Sequence, residues 1–146
     1  MRSPRRASSV RRQRWRSKRL ERAFLDAYPA LRDMEAVPLF GALGYRFTGA
    51  GEGWAEVTLT VTPSVHNLYG IVHGGVWLIV ADSAMGAALA TLEPATSRVI
   101  TAQSDFRWLR PLEGDTLRAH ARVLRRGRTL SHSTCDLPVS YTHLRA

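Results

Sequence analysis

Two histidines, an asparagine and three glycines stand within ten consecutive residues, His66-Asn67-Leu68-Tyr69-Gly70-Ile71-Val72-His73-Gly74-Gly75. An apolar run holding one carboxylate, Asp82, follows at once. If that run is a helix, its first turn exposes up to four unpaired backbone N–H groups and carries roughly half a positive charge. Gly74 and Gly75 have no side chains, so a ligand carbonyl can come up to those N–H groups. Such a mouth has the character of an oxyanion hole. His73 stands at its lip, where it could orient the turn or donate a hydrogen bond.

Asp82 lies nine residues after His73, ~13 Å along a helix by rise per residue. That is too far to serve the mouth of its own helix. A second copy of the helix, brought antiparallel across a dimer interface, would set its Asp82 opposite the first copy's Gly74. The spacing therefore points to a site shared between subunits. An ionised Asp among Val80, Ala81, Ala84 and Met85 is costly unless it is paired or hydrogen-bonded, and such placement often marks a functional carboxylate. A structural Asp bonded to hydroxyls or amides of a neighbouring strand is the competing reading. Taken singly, His66 and His73 read as packing or capping residues and Asn67 as a turn residue; the combination carries the argument.

The elements that would position these groups follow from periodicity. Val76 to Leu92 is apolar nearly all round, too long for a strand and rich in Ala, which favours helix. A helix apolar on every side must be buried on every side, and in so small a chain only a wrapped sheet can cover it. Trp54 to Thr62 alternates, with Ala55, Val57, Leu59 and Val61 on one face, as a half-buried strand does. Gly44 to Thr48 reads as a strand entering the turn "GAGEG", and Leu20 to Tyr28 as a short helix stopped by Pro29. Three further strands are expected over Arg98–Leu109, Thr116–Arg126 and Thr129–Leu137, joined by "RPLEGD" and "GR" turns. The chain has 146 residues, enough for one core and too few for two.

The net charge of +9 is localised. Residues 1–22 hold ten basic side chains and one acid, while the remainder holds eleven of each. Self-repulsion and few apolar residues make that tail an expected disordered extension. It lacks the apolar stretch of a secretory signal. One cysteine, Cys135, excludes an intrachain disulfide, and no Cys/His spacing suggests a metal. No window approaches a membrane span. Pro138 would interrupt a continuing strand, and "PVSYTHLRA" resembles a translated transposase adapter. A non-native tail over 138–146 is therefore expected, with the last strand of the domain cut away.

His66-Asn67, then His73-Gly74-Gly75, then Asp82 resemble the hotdog-fold acyl-CoA thioesterases, specifically the PaaI-like group of the phenylacetate pathway. "TAQSDFRWLRPLEGDTLRAHARVLRRGRTL" is similar to the strands that follow in that group, and the resemblance runs from about Leu43 to Leu137. It implies an α+β hotdog fold, an antiparallel sheet wrapped around one long central helix. The domain is expected over 34–137, after an extension over 1–33. The resemblance also implies roles. Gly74 would polarise the thioester carbonyl through its amide. Asp82 would act from the partner subunit, as base or as nucleophile. Asn67 would position water or thioester, Thr101 would hold the water or acid, and His73 would brace the thioester end. Arg125, Gly127 and Arg128 fall where the family grips the nucleotide and phosphates of coenzyme A, and planar Arg forks suit phosphate. Leu68, Tyr69, Gly75 and Trp108, with Trp77, would line the acyl pocket, wide enough for medium-chain or aryl groups.

The expected function is thus hydrolysis of acyl-CoA thioesters in the cytoplasm by a homodimer or dimer of dimers. No separate cofactor, metal, nucleic acid or membrane is expected to take part. The alternative is a non-enzymatic acyl-CoA sensor, which the basic arm invites. A helix-turn-helix unit needs two packed helices, and the segment before the domain offers one. A hydratase on the same fold would want its catalytic His placed differently.

Overall fold

A computed structural model of the chain describes residues 22–112 and 114–138. Three short helices come first: α1 (Phe24–Ala27), α2 (Pro29–Glu35) and α3 (Pro38–Leu43). Both α2 and α3 begin on a proline, whose fixed φ and missing N–H suit the first helical position. Strands β1 (Tyr45–Gly51) and β2 (Trp54–Thr60) form a hairpin. Gly53 turns it at a φ of 76°, a left-handed value that costs glycine little. The long helix α4 spans Gly74–Ala90, and β3 (Thr116–Arg125) and β4 (His132–Asp136) complete an antiparallel sheet in the order β1-β2-β3-β4.

Alternation puts one face of that sheet inward. Ala55, Val57 and Leu59 of β2 pair with Ala121, Ala119 and Leu117 of β3, and all six are fully buried. Tyr45 and Phe47 extend the layer onto β1. Helix α4 lies across this face on Val76, Trp77, Val80, Ala81, Ala84, Ala87 and Ala88, a stripe at helical spacing. Its alanines face a sheet that is itself alanine-rich, so helix and strands approach closely. The result is the expected hotdog arrangement, a long helix held against an antiparallel sheet.

Two expectations need correction. The helix is not enclosed on every side: Leu78, Ile79, Asp82, Ser83, Met85, Gly86 and Leu89 keep partial exposure. One four-stranded sheet covers one face of a helix, so an apolar second face needs another source of cover. Nor is Arg98–Leu109 a strand. It runs without regular structure and mostly exposed, because a strand needs a hydrogen-bonding neighbour and none lies beside it among the described residues.

The expected domain boundary at residue 34 falls inside the packed unit. Leu25 of α1 and Leu31 of α2 are buried in the core. Glu35 takes the Phe47 N–H (3.0 Å) and an ion pair from Arg22. The basic tail before Arg22 and the segment after Pro138 lie outside the described residues.

Cys135 packs beside the core from β4. Burial, and secondarily the charge of Asp136, pushes its thiol up from 9.0 to about 12. The folded protein should therefore react slowly with a thiol reagent at pH 8 and fully once denatured, a contrast that labelling kinetics would measure. An unfolded thiol ionises near 9.0 and the folded one near 12, so its contribution to stability is complete below pH 9 and fades as pH climbs toward 12.

Candidate active site

The loop before α4 closes on itself. His66 and Val72 form an isolated antiparallel bridge, and the Asn67 N–H donates to the Ile71 carbonyl (2.8 Å). The Asn67 side-chain oxygen accepts from the N–H groups of Tyr69 (2.9 Å) and Ile71 (3.4 Å), an Asx turn. Gly70 completes the reversal at a φ of 76°. Asn67 thus spends its carbonyl on the loop, and its NH2 group makes no hydrogen bond among the described residues. Leu68 and Tyr69 stand at the loop tip, 86% and 78% exposed.

His73 is the N-cap of α4, and its Nδ1 accepts from the Gly75 N–H at 3.0 Å. A neutral ring accepting at Nδ1 carries its proton on Nε2, which leaves a donor there. This bond distinguishes the two glycines. The Gly75 amide is occupied by the cap, whereas the Gly74 N–H finds no acceptor among the described residues. Gly74 is therefore the vacant donor at the positive end of α4.

Gly74 is not open on all sides. The Trp108 indole donates to its carbonyl at 3.2 Å, and a side chain added at Gly74 would meet that indole nitrogen at 3.1 Å. Phe106 packs on Trp108 with ring centroids 4.8 Å apart. An aromatic pair carried by the segment expected as a strand thus stands over the mouth. Sequence reading chose Trp108 and passed over Phe106, which shares its alternation but carried no motif.

Asp82 sits eight residues beyond Gly74, ~12 Å up the helix. The Thr101 hydroxyl donates to its carboxylate at 2.6 Å. The structure thereby joins two residues nineteen apart in sequence. Next to Asp82, Ser83 shares a hydrogen bond with the Tyr45 hydroxyl at 3.3 Å. Burial holds the Tyr45 phenol above its ordinary range, and the Asp82 charge adds to that despite the opposing bond from Ser83. Sequence reading missed Tyr45 and Ser83, whose pairing spans 38 residues and leaves no local signal.

Gly74 and Asp82 do not meet within one chain. Of the Arg125, Gly127 and Arg128 group, Arg125 ends β3, paired with His132, and Gly127 and Arg128 lie in the turn between β3 and β4. That turn is tied to the region just past the C-terminal end of α4 by Arg126 and Glu93. No cluster of three metal-ligating side chains occurs among the described residues. No helix among them is long and apolar enough to cross a membrane.

What these parts can do together is polarise a carbonyl at a vacant amide and hold a carboxylate for proton transfer or attack. Known proteins resemble the chain in sequence and fold. The thioesterase superfamily profile matches residues 69–137. A protein of Deinococcus radiodurans named "Putative esterase" is 36% identical over 97 residues, 66% of this chain, and the chain spans 64% of that relative's length. A thioesterase family protein from Silicibacter pomeroyi superposes with a TM-score of 0.72 at 29% identity, over 75% of this chain and 81% of that one. The E. coli PaaI protein of the phenylacetic acid degradation operon gives 0.62 at 33% identity, over 70% and 73%. A hypothetical thioesterase from Streptococcus pneumoniae, solved with coenzyme A, gives 0.58 at 26% identity, over 64% and 71%.

Proposed function

The chain belongs to the hotdog-fold thioesterase superfamily, and from that premise we propose that it hydrolyses acyl-CoA thioesters to free acid and coenzyme A. The observation that carries this reading is the vacant Gly74 N–H at the head of α4. A thioester carbonyl accepts from that amide, and the helix dipole favours the negative charge that grows on oxygen during attack. Asp82 removes a proton from the attacking water. Thr101 holds one carboxylate oxygen and leaves the other for that water. Collapse of the tetrahedral intermediate breaks the C–S bond, and the departing thiolate leaves as coenzyme A after taking up a proton. Asn67 offers its free NH2 to the water or thioester, and His73 offers its Nε2–H.

The site is completed by a second copy of the chain. Asp82 stands ~12 Å from the mouth of its own helix, so the acid that serves Gly74 comes from a partner. The half-exposed face of α4 supports this, as do the exposed Ile100 (85%) and Leu109 (86%), the sequence neighbours of Thr101 and Trp108, which hydrogen-bond to α4. An apolar surface of that kind calls for cover, and an antiparallel copy covers it while carrying Asp82 to the facing mouth.

Phe106 and Trp108 beside Gly74 favour an aryl or medium-chain acyl group, since flat apolar rings stack on such a pair. The coenzyme A bound to the Streptococcus pneumoniae protein supports that handle for the substrate. A panel of acetyl-, medium-chain and arylacetyl-CoA esters, read by thiol release, tests the reading. Turnover should favour the larger acyl groups over acetyl. Tight binding of all with turnover of none would overturn hydrolysis in favour of a sensor.

A further inference from the structure

Arg126 and Glu93 form a two-pronged ion pair, Nε to Oε1 at 2.8 Å and Nη2 to Oε2 at 3.2 Å. The pairing joins the turn after β3 to the chain just past the end of α4, 33 residues apart. The same turn is closed from inside. The Gly127 N–H donates to the Ser131 hydroxyl at 3.1 Å, and a side chain added at Gly127 would lie 2.1 Å from the Leu130 carbonyl oxygen. The turn therefore has one backbone shape and one anchor. On either side of the anchor, Arg125 and Arg128 are exposed and have no carboxylate partner among the described residues.

An ion pair at the surface adds little stability in water, so this one has its main effect through position. A guanidinium held by two parallel bonds fixes the plane of the turn as well as its place. The end of α4 at Ala90 lies eight residues past Asp82, roughly 12 Å farther along the axis, and Glu93 follows just beyond it. The pinned turn therefore stands toward the end of α4 opposite the Gly74 mouth of its own chain.

We propose that Glu93 and Arg126 are positioning residues that set the β3–β4 turn so that Arg125 and Arg128 meet the phosphate groups of the coenzyme A handle. This rests on the thioesterase reading above. The two fail differently. Loss of all turnover in the parent protein sinks the function, whereas the clamp is read from the difference between two substrates.

The experiment compares one acyl group carried on coenzyme A with the same group carried on pantetheine, which lacks the nucleotide and phosphates. In the parent, KM should be lower for the coenzyme A ester. Arg126→Ala and Glu93→Gln should each raise that KM roughly tenfold with kcat kept, because binding common to ground and transition state is lost. KM for the pantetheine ester should stay as it was. The exchanged double variant, Glu93→Arg with Arg126→Glu, should recover much of the loss. Equal KM values for the two esters in the parent, or an unchanged coenzyme A KM in the variants, would overturn the proposal. So would an equal rise for both substrates, which marks a general disturbance of the fold.

Discussion

Asp82→Asn should lower kcat for acyl-CoA hydrolysis by about 10²–10⁴-fold, the usual weight of a positioned base, with little change in thermal stability. Asn keeps the size of the side chain and still accepts the Thr101 hydroxyl, which now meets the carboxylate at 2.6 Å. It cannot take a proton from water. Asp82 is half-exposed and makes no ion pair among the described residues, so its replacement strands no buried charge. Steady-state kinetics beside a thermal melt separates the two effects. A variant that keeps parental kcat would remove Asp82 from the chemistry; one that unfolds would make it structural.

Gly74→Val is expected to cost about 10²-fold or more in kcat/KM, comparable with losing a donor to the oxyanion. The N–H survives the substitution, so the loss comes from approach. A Cβ at this position meets the Trp108 indole nitrogen at 3.1 Å, and the added methyl groups occupy the space a thioester must enter. The contact is with a side chain that can swing aside, so folding should persist. Circular dichroism would show a native spectrum beside the lost activity. Full activity in this variant would place the carbonyl elsewhere.

Much of the fold was legible because periodicity is local. The alternation from Trp54 reappears as the buried Ala55, Val57 and Leu59 of β2. The apolar run expected as a helix over Val76–Leu92 is α4, Gly74–Ala90, begun two residues earlier by the His73 cap. Arg98–Leu109 misled because its composition suits a strand while its pairing depends on a neighbour. The all-round hydrophobicity of α4 was read as burial inside one sheet. In the single chain it is two faces, one buried on the sheet and one half-exposed. Leu25 and Leu31 fall within the expected extension over 1–33, and their place in the core depends on contacts with distant elements that no local pattern encodes.

The site was legible in part. Spacing singled out His73, Gly74 and Asp82 as candidates, and the structure joins Thr101 to Asp82. What the chain does with Asn67 and His73 locally, an Asx turn and a helix cap, matches the plainer reading each had when taken alone. Those bonds leave free one donor on each side chain, the Asn67 NH2 and the His73 Nε2–H. The Tyr45–Ser83, Trp108–Gly74 and Arg126–Glu93 contacts join residues 33 to 38 positions apart, and no periodicity encodes such pairs.

The central claim is that each site takes its amide from one chain and its acid from another. Mixing the Asp82→Asn and Gly74→Val proteins, with dissociation and reassociation of subunits, tests it directly. Each is inactive alone. A two-fold assembly of the pair holds one site with both defects and one with neither. Random reassociation at equal amounts should therefore restore about a quarter of parental activity, because half the dimers are mixed and each has one intact site. Continued inactivity in mixtures shown to contain mixed dimers would mean that Gly74 and Asp82 act within one chain, and the shared site would be lost.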